Sequence, residues 1–345
     1  MQNKKKITIY DVANEAGVSR QTVSRVLNSR PDVARETRKR VQEVIQRLGY
    51  QPSQLARSLS QGTSCTLGIV GYGIEYYGPS RTLSVIEQQA NEHGYSLSLS
   101  LTHEPEDIDI ARIFNSLISQ HVDGIIFTVP QIGVNHQRLI DTLANISTPL
   151  VCTNMMPHAS YSLVDSDNFE GGVLATKHLI EQGNQRIGII TGPSNWMASK
   201  QRFEGWKAAH NAAGLQIDEN LVVEGDWTSA SGYQGMQHLI EKSPEIDAVF
   251  ACNDQMALGV LRAASQTHHK IPDDIALVGY DNIPESEYFP SPLTTIRQNF
   301  SEQGKIIVEE LERRIRERGE DMEDIPKTVF LTPELIIRES TIRTT

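Results

Sequence analysis

Apolar positions follow two different patterns along the chain, and the pattern changes near residue 62. Before that point they recur at helical spacing, which predicts short amphipathic helices. Thr8-x-x-Asp11 resembles a capping box that opens a helix through Ala16, and Gly17 ends it. From Thr66 onward, short apolar runs alternate with amphipathic stretches. This alternation predicts parallel sheets that are covered on both faces by helices.

The first 50 residues predict three helices. The second begins at Val18-Ser19 and turns Val23, Val26 and Leu27 inward, and the third runs from about Arg35 to Leu48 after the break at Pro31. A tight glycine turn between the first two helices makes a helix-turn-helix unit. Residues 53–60 lie between a Pro and a Gly and indicate a linker that could become a short helix, although alone it is too short to be stable.

The rest of the chain predicts two doubly wound lobes joined near residues 180–185, with a cleft between them where such sheets place ligands. The predicted strands of the two lobes are 66–70, 96–101, 124–129, 150–154, 186–191, 221–224, 248–252 and 275–279. The predicted helices between them are 81–93, 106–120, 169–182, 198–213, 229–242 and 254–266. A helix near 300–318 and strands near 328–331 and 334–338 are expected to complete both lobes.

The expected domain limits follow from this organisation. They are 1–50 for the head, 51–63 for the hinge and 64–345 for the ligand-binding and dimerisation body, with an N-lobe of about 64–180 and 297–324 and a C-lobe of about 181–296 and 325–340.

Length and composition limit the class of protein. The 345 residues suggest two or three domains, and no apolar run is long enough to predict a membrane-spanning helix. The basic start, Met1 to Lys6, has no long apolar stretch behind it, so a secretory signal is not expected. Three cysteines lie far apart, which argues against a disulfide framework and favours the cytoplasm.

Charge is distributed unevenly. The whole chain carries a formal net charge of −11, yet residues 1–62 hold 12 Lys/Arg against five Asp/Glu, a net of +7. The remaining residues therefore carry −18. A basic head on an acidic body suggests an anionic partner for the head alone, the alternative being a solvated basic tail.

Catalytic and metal-binding motifs are not found in the sequence. Gly71-Tyr72-Gly73 lacks the third glycine of a dinucleotide fingerprint, since residue 76 is tyrosine, and Gly304-Lys305 is followed by Ile306. No GxSxG, no HExxH and no metal-ligand spacing of the ten histidines occurs. We therefore expect neither an enzyme nor a metal or cofactor.

Residues 8–28, Thr-Ile-Tyr-Asp-Val-Ala-Asn-Glu-Ala-Gly-Val-Ser-Arg-Gln-Thr-Val-Ser-Arg-Val-Leu-Asn, resemble the DNA-binding head of the lactose/galactose repressor family. Segments 224–227, 252–259, 278–281 and 292–296 are similar to the lactose repressor branch of that family. The body is also similar to periplasmic sugar-binding proteins, which implies lobes of that type. One departure is Ala34, where the family usually has a capping serine.

The resemblance gives the second helix the role of a recognition helix in the major groove. Arg20 and Gln21 then reach base edges, with Arg25 one turn later, because Arg suits guanine and Gln suits adenine. Ser19, Thr22 and Ser24 are expected on phosphates. The alternative for each is an ordinary exposed helix face.

The family inserts its hinge helix into the minor groove, and the matching wedge here is Leu59, with Leu55 and Ala56 on the same side. Alternatively, Leu55 and Leu59 pack on the core.

The cleft resembles a saccharide site, which needs planar polar groups and an aromatic face. By resemblance, Arg202, Asn253 and Asp281 bind hydroxyls and Trp227 stacks on the ring. Further candidates for the cleft are Asn154, Asp167, Tyr72, Gln298 and Phe300. Arg202 and Asp281 could instead pair with each other, and Trp227 could be core. The bulky loop 73–80, with Tyr76 and Tyr77, resembles branches that bind β-galactosides or β-glucosides such as cellobiose.

The function expected from these features is a homodimeric transcriptional repressor that a sugar releases from a palindromic operator, located in the cytoplasm and at the nucleoid when bound. No tetramerisation helix is expected, since no leucine-heptad tail follows Ser340. Two alternatives stay open: a regulator whose purine-type corepressor strengthens DNA binding, and a sugar-binding transport protein.

Overall fold

The computed structural model describes residues 7–27, 30, 32–50, 63–318 and 325–343. It divides into two compact units, Met1–Cys65 and Thr66–Thr345. The hinge residues Leu55, Ala56 and Leu59 lie outside the described residues.

The head contains the three predicted helices, α1 (Ile9–Ala16), α2 (Arg20–Leu27) and α3 (Arg35–Leu48). The Asp11 carboxylate accepts hydrogen bonds from the backbone N–H and the hydroxyl of Thr8, at 2.8 and 2.7 Å, and so closes the start of α1. Gly17 ends α1 at φ 63°, a left-handed conformation that glycine adopts without strain. Ala34 offers α3 no side-chain cap, yet the helix forms because its apolar face is buried.

The core of the head is a small cluster of apolar side chains with few large members. Its buried residues come from all three helices: Val12, Ala13, Ala16, Val23, Val26, Val41 and Val44. Small β-branched and alanine side chains let the three short helices approach closely, which is how a unit of this size fixes the orientation of α2.

The body contains two six-stranded sheets flanked by helices. The N-lobe sheet has the strand order β11-β5-β4-β3-β1-β2, and the C-lobe sheet has the order β12-β10-β9-β8-β6-β7. All pairings are parallel except that of β12 with β10. The strands are β1 (Thr66–Gly71), β2 (Ser96–Leu101), β3 (Gly124–Phe127), β4 (Leu150–Cys152), β5 (Ser162–Ser166), β6 (Ile187–Thr191), β7 (Val222–Glu224), β8 (Ala248–Ala251), β9 (Ala276–Tyr280), β10 (Thr294–Arg297), β11 (Thr328–Leu331) and β12 (Glu334–Ile336).

The helices of the body connect these strands in the predicted alternation. They are α4 (Tyr77–Glu92), α5 (Ile110–Ser119), α6 (Asn135–Leu143), α7 (Asn168–Glu181), α8 (Met197–Ala212), α9 (Ser229–Lys242), α10 (Asp254–Gln266) and α11 (Phe300–Glu317). The fold class expected from the sequence is therefore confirmed. Helix α6 and strands β5 and β10 were not among the predicted elements.

The lobe boundaries differ from the prediction at two places. The chain crosses to the C-lobe after β5, not near residues 180–185, because Ala175 and Leu179 of α7 pack into the C-lobe core. Strand β11 pairs with β5 in the N-lobe sheet, whereas the sequence had assigned all of 325–340 to the C-lobe. Only β12 of that tail joins the C-lobe, where it pairs with β10.

Candidate functional site

The outward face of α2 carries the residues predicted to contact DNA. Ser19, Arg20, Gln21 and Arg25 are exposed, whereas Thr22 and Ser24 are half-buried. Val23 and Val26 hold the opposite face in the head core. The sequence thus fixes which side of α2 faces solvent.

Several of these side chains have partners within the head. Arg20 donates to the Tyr10 hydroxyl at 2.6 Å, and its guanidinium lies 4.3 Å from the centre of that ring. Arg25 forms a 3.2 Å ion pair with Asp32. The Ser19 hydroxyl accepts the Thr22 N–H at 3.1 Å, so Ser19 caps the start of α2. Tyr10, which is 55% exposed, was missed by the sequence analysis, although it lies on the polar face of α1.

The body contains a cavity of about 70 Å³ between its two lobes. Seven of the nine residues predicted for the ligand site line this cavity: Asn154, Arg202, Trp227, Asn253, Asp281, Gln298 and Phe300. The N-lobe contributes Asn154 and the C-lobe contributes Arg202, Trp227 and Asn253.

Tyr72 and Asp167 do not line the cavity. Tyr72 packs on the N-lobe core and on Trp196, with ring centres 5.8 Å apart. The Asp167 carboxylate accepts the Glu170 N–H at 2.9 Å and caps α7. Both residues follow sheet strands, but the side chain of Asp167 caps a helix.

Arg202 is the buried cation of the cavity. It is 5% exposed, its Nε donates to the Asn168 side chain at 2.9 Å and its Nη1 donates to the Cys252 carbonyl. The guanidinium carbon lies 3.5 Å from the centre of the Tyr280 ring. Within the described residues no direct ion pair joins Arg202 to Asp281, so the pairing considered from the sequence does not form.

Asp281 is buried at the carboxyl end of β9. It accepts a hydrogen bond from the Gln298 amide at 2.7 Å. Burial raises the pKa of its carboxyl to about 6, although the positive charge of Arg202 acts to lower this pKa. Its backbone lies at φ 105°, and Asn282 follows at φ 54°. Two successive non-glycine residues in this region mark a strained turn, a feature that often accompanies a binding site.

Trp227 and Asn253 are positioned together. The Asn253 Nδ2 donates to the Trp227 carbonyl at 2.9 Å, and its Oδ1 accepts the Met256 N–H at 2.8 Å, capping α10. Trp227 lies at φ 73° and is 7% exposed. Its indole Nε1 is buried and has no hydrogen-bond partner. A buried donor without a partner beside a cavity is suited to a ligand acceptor.

The N-lobe side of the cavity carries a second buried carboxylate, Asp165. It accepts the N–H of Asn154 at 2.8 Å and that of Ser166 at 2.9 Å. Burial raises the pKa of the Asp165 carboxyl to about 6. Asn154 itself lies at φ 57°, so the Asp165 contact fixes an unusual backbone at the cavity wall.

Other cavity residues were not selected from the sequence. They are Tyr76, Tyr77, Gly78, Pro79, Thr82, Thr128, Pro130, Asp165, Asn168, Trp196, Ala198 and Gln303. The bulky loop with Tyr76 and Tyr77 had been noted for its resemblance to branches that bind β-galactosides or β-glucosides, but neither tyrosine was predicted as a cavity residue. Trp196 gave a usable signal, since an aromatic residue in the polar segment 193–197 favours an exposed ligand-facing position.

Two further observations concern classes that the sequence had excluded. Among the residues that the structure describes, no three His, Cys, Asp or Glu side chains are grouped so as to hold a metal ion. A helix with the length and apolar character to cross a membrane does not occur in that part of the chain either.

A basic helix-turn-helix unit and a two-lobed body with a buried polar and aromatic cavity define a ligand-binding DNA-binding protein. Residues 8–53 match the bacterial regulatory proteins of the lacI family, and residues 176–341 match a periplasmic binding protein-like domain. The chain belongs to the lacI family. Like these relatives, it is a DNA-binding transcriptional repressor and not an enzyme.

Curated relatives include the HTH-type transcriptional repressor PurR of Pasteurella multocida (strain Pm70), 39% identical over 96% of this chain and 98% of that protein. PurR of Haemophilus influenzae (strain ATCC 51907 / DSM 11121 / KW20 / Rd) is 36% identical with the same coverage.

Solved structures include a complex of the transcriptional regulator CelR with cellobiose, 32% identical, with a TM-score of 0.70 over 97% of this chain and 99% of that one. A lac repressor dimer bound to operator and the anti-inducer ONPF is 28% identical, with a TM-score of 0.85 over 98% and 100%.

Proposed function

We propose that the chain acts as a homodimer whose two α2 helices read the half-sites of a palindromic operator. The exposed polar face of α2 supports this, as does the similar lac repressor, which is a dimer bound to operator in its solved structure. One short helix reads too few base pairs for specificity, and two-fold symmetry supplies the second half-site. The protein would act in the cytoplasm, associated with the nucleoid when bound to DNA.

In this proposal Gln21 and Arg20 contact base edges, and the Tyr10 hydroxyl and ring orient the Arg20 guanidinium. Ser19, Thr22 and Ser24 fix the helix on phosphates, while Leu55, Ala56 and Leu59 enter the minor groove.

Gln21→Ala should weaken binding to the selected operator about 5- to 150-fold while leaving binding to unrelated DNA unchanged. Fluorescence anisotropy on both duplexes measures this, with Lys177→Ala on the exposed surface of α7 as the matched control. Equal losses on both duplexes would contradict base readout by Gln21.

For the effector, we propose a small ring compound held between the lobes, with its polar edge on Arg202 and Asp281 and its face on an aromatic wall. The carrying observation is the conjunction of the buried Arg202, the buried Asp281 and the Trp227 indole in the lining of one cavity. A volume of about 70 Å³ corresponds to about five or six water molecules, so the cavity would enclose one ring or two fused rings of the effector.

The first candidate is a purine-type corepressor that strengthens operator binding. Its support is the similarity to PurR repressors across nearly the whole chain. A planar heterocycle would stack on Trp227 or Phe300 and offer ring nitrogens to Arg202.

The second candidate is a sugar inducer, such as a β-glucoside or β-galactoside, that releases the operator. The observations that favour it are the cellobiose complex of the similar CelR and the amide-rich lining of Asn154, Asn168, Asn253, Gln298 and Gln303. Planar amides and carboxylates suit vicinal hydroxyls, because each offers two polar atoms to two neighbouring hydroxyl groups.

Calorimetric titration of the full chain with hypoxanthine, guanine, glucose, lactose and cellobiose distinguishes the two candidates. Saturable binding of a purine supports the corepressor, and saturable binding of a sugar supports the inducer. Binding of none of these compounds would contradict both.

A further inference from the structure

Trp196 occupies the position just before α8, and its backbone is fixed on both sides. Its N–H donates to the Pro193 carbonyl at 3.0 Å, and its carbonyl accepts the Lys200 N–H at 3.0 Å. The residue belongs to the C-lobe, since it follows β6 and begins the helix packed beside it. The indole is therefore carried by a well-defined turn and not by a free loop.

The indole of Trp196 contacts aromatic residues of both lobes. Its ring centre lies 5.8 Å from that of Tyr72 and 5.7 Å from that of Tyr76, both on the N-lobe segment that follows β1. On the C-lobe side, the Trp227 ring centre is 5.8 Å away. Trp196 and Tyr76 also pack against the C-lobe core and line the cavity. Trp196 thus forms part of the cavity wall where the two lobes meet.

A polar contact next to Trp196 crosses between the lobes at the same place. The side-chain amide of Asn195 donates to the Glu106 carboxylate of the N-lobe at 2.8 Å. Both side chains are exposed, so this hydrogen bond lies at the outer edge of the contact. The aromatic rings and the hydrogen bond therefore meet the N-lobe through adjacent residues of one rigid turn.

We propose that Trp196 is a specificity-determining residue of the effector cavity, closing it against Tyr72 and Tyr76 and so setting which ring fits beside Trp227. The inference rests on the proposed effector function and names the residue that selects the effector. An effector ring that fits shares the cavity with the indole while the lobes stay closed. A ring of the wrong size or shape displaces the indole from Tyr76 and loses the contacts between the lobes.

The test uses the full chain in three variants: Trp196→Ala, Trp196→Phe and, as a control, Phe330→Ala, whose exposed aromatic ring lies on β11 away from the cavity. The first measurement needs no ligand. Hydrogen exchange of the backbone amides of residues 72–77, 104, 106 and 107 should accelerate about three- to tenfold in Trp196→Ala, less in Trp196→Phe and not at all in Phe330→Ala. Unchanged exchange in Trp196→Ala would overturn the proposal by itself.

The second measurement is calorimetric affinity for hypoxanthine and cellobiose. The unsubstituted protein is expected to bind one of the two compounds more tightly. Trp196→Ala should reduce the ratio of the two affinities about three- to tenfold, and Trp196→Phe should restore part of that ratio. An unchanged ratio of affinities would overturn the role of Trp196 even where the effector is confirmed. If neither compound binds, the proposed effector classes fail, and the hydrogen-exchange result alone decides whether Trp196 closes the lobes.

Discussion

Arg202 has a structural task as well as a proposed recognition task. Its side chain connects α8 to Asn168 of α7 and to the carbonyl that follows β8, and it covers the Tyr280 ring. Because these groups are buried, removing the guanidinium leaves polar atoms without partners. The same side chain supplies the buried positive charge at the cavity wall.

Replacing Arg202 by Ala should abolish the effector response and lower the free energy of unfolding by about 1–3 kcal/mol. Urea denaturation and ligand calorimetry measure the two effects. As a control, Lys177→Ala removes an exposed ion pair with Glu181 and should leave both unchanged. Normal effector affinity in Arg202→Ala would show that the guanidinium is purely structural.

Asp254 makes stability depend on pH. Its carboxylate is fully buried, accepting the Thr295 hydroxyl at 2.6 Å and the Ile283 N–H at 2.8 Å, and burial raises its pKa from 3.8 to about 8. The folded chain therefore binds the proton more tightly than the unfolded chain. Between pH 3.8, the ordinary pKa of the carboxyl, and about pH 8, its pKa in the folded chain, the free energy of unfolding falls as the pH rises.

Asp254→Asn should flatten this decline, because an amide can accept from Ile283 and donate to Thr295 without ionising. Urea unfolding across the pH range from 3.8 to about 8 measures the slope. Asp107→Asn, on an exposed carboxylate, should keep the slope of the unsubstituted protein. Equal slopes in Asp254→Asn and the unsubstituted protein would contradict the raised pKa of Asp254.

At the scale of elements, Asn253 shows how one residue can serve a helix and a cavity together. Asn253→Ala removes the cap of α10 and should lower the free energy of unfolding by about 1 kcal/mol. Asn253→Ser should restore most of this loss, since serine also caps helices, but it lacks the amide that holds the Trp227 carbonyl. Thermal denaturation compares the variants. An equal loss in both would show that the cap contributes little.

Local patterns predicted most elements but not the lobe to which each belongs. The helix pattern of 169–182 was evident in the sequence, yet its assignment to the C-lobe depends on where Ala175 and Leu179 find a core. Strand β5 was missed because Ser162, Asp165 and Ser166 interrupt its apolar run. These polar residues are buried by partners distant in sequence, such as Glu310 of α11, which accepts from Ser162 at 2.7 Å.

The sequence predicted single residues of the site but not the full set of residues that lines the cavity. Trp227, Asn253 and Asp281 could be found because the resemblance to the family covers their segments. Asp165 belongs to the cavity only through the approach of two lobes, which no local pattern encodes. Trp196 gave a local signal, as an aromatic residue in the segment 193–197, but the rings that it contacts across the lobes could not be predicted.

At the scale of the whole molecule, the basic head and the acidic body have separate tasks, and regulation requires that they be coupled. We propose that an effector in the body changes the operator affinity of the head, through lobes that hold or release the hinge segments. A coupling of about 1–3 kcal/mol, or 5- to 150-fold in operator affinity, is typical of such regulators.

The most direct measurement is fluorescence anisotropy of a symmetric operator duplex with a central CpG, with and without each compound that the body binds by calorimetry. The account predicts a change of about 5- to 150-fold, tighter for a purine corepressor and weaker for a sugar inducer, and no change in Arg202→Ala. Operator affinity that stays constant with every bound compound would contradict the account.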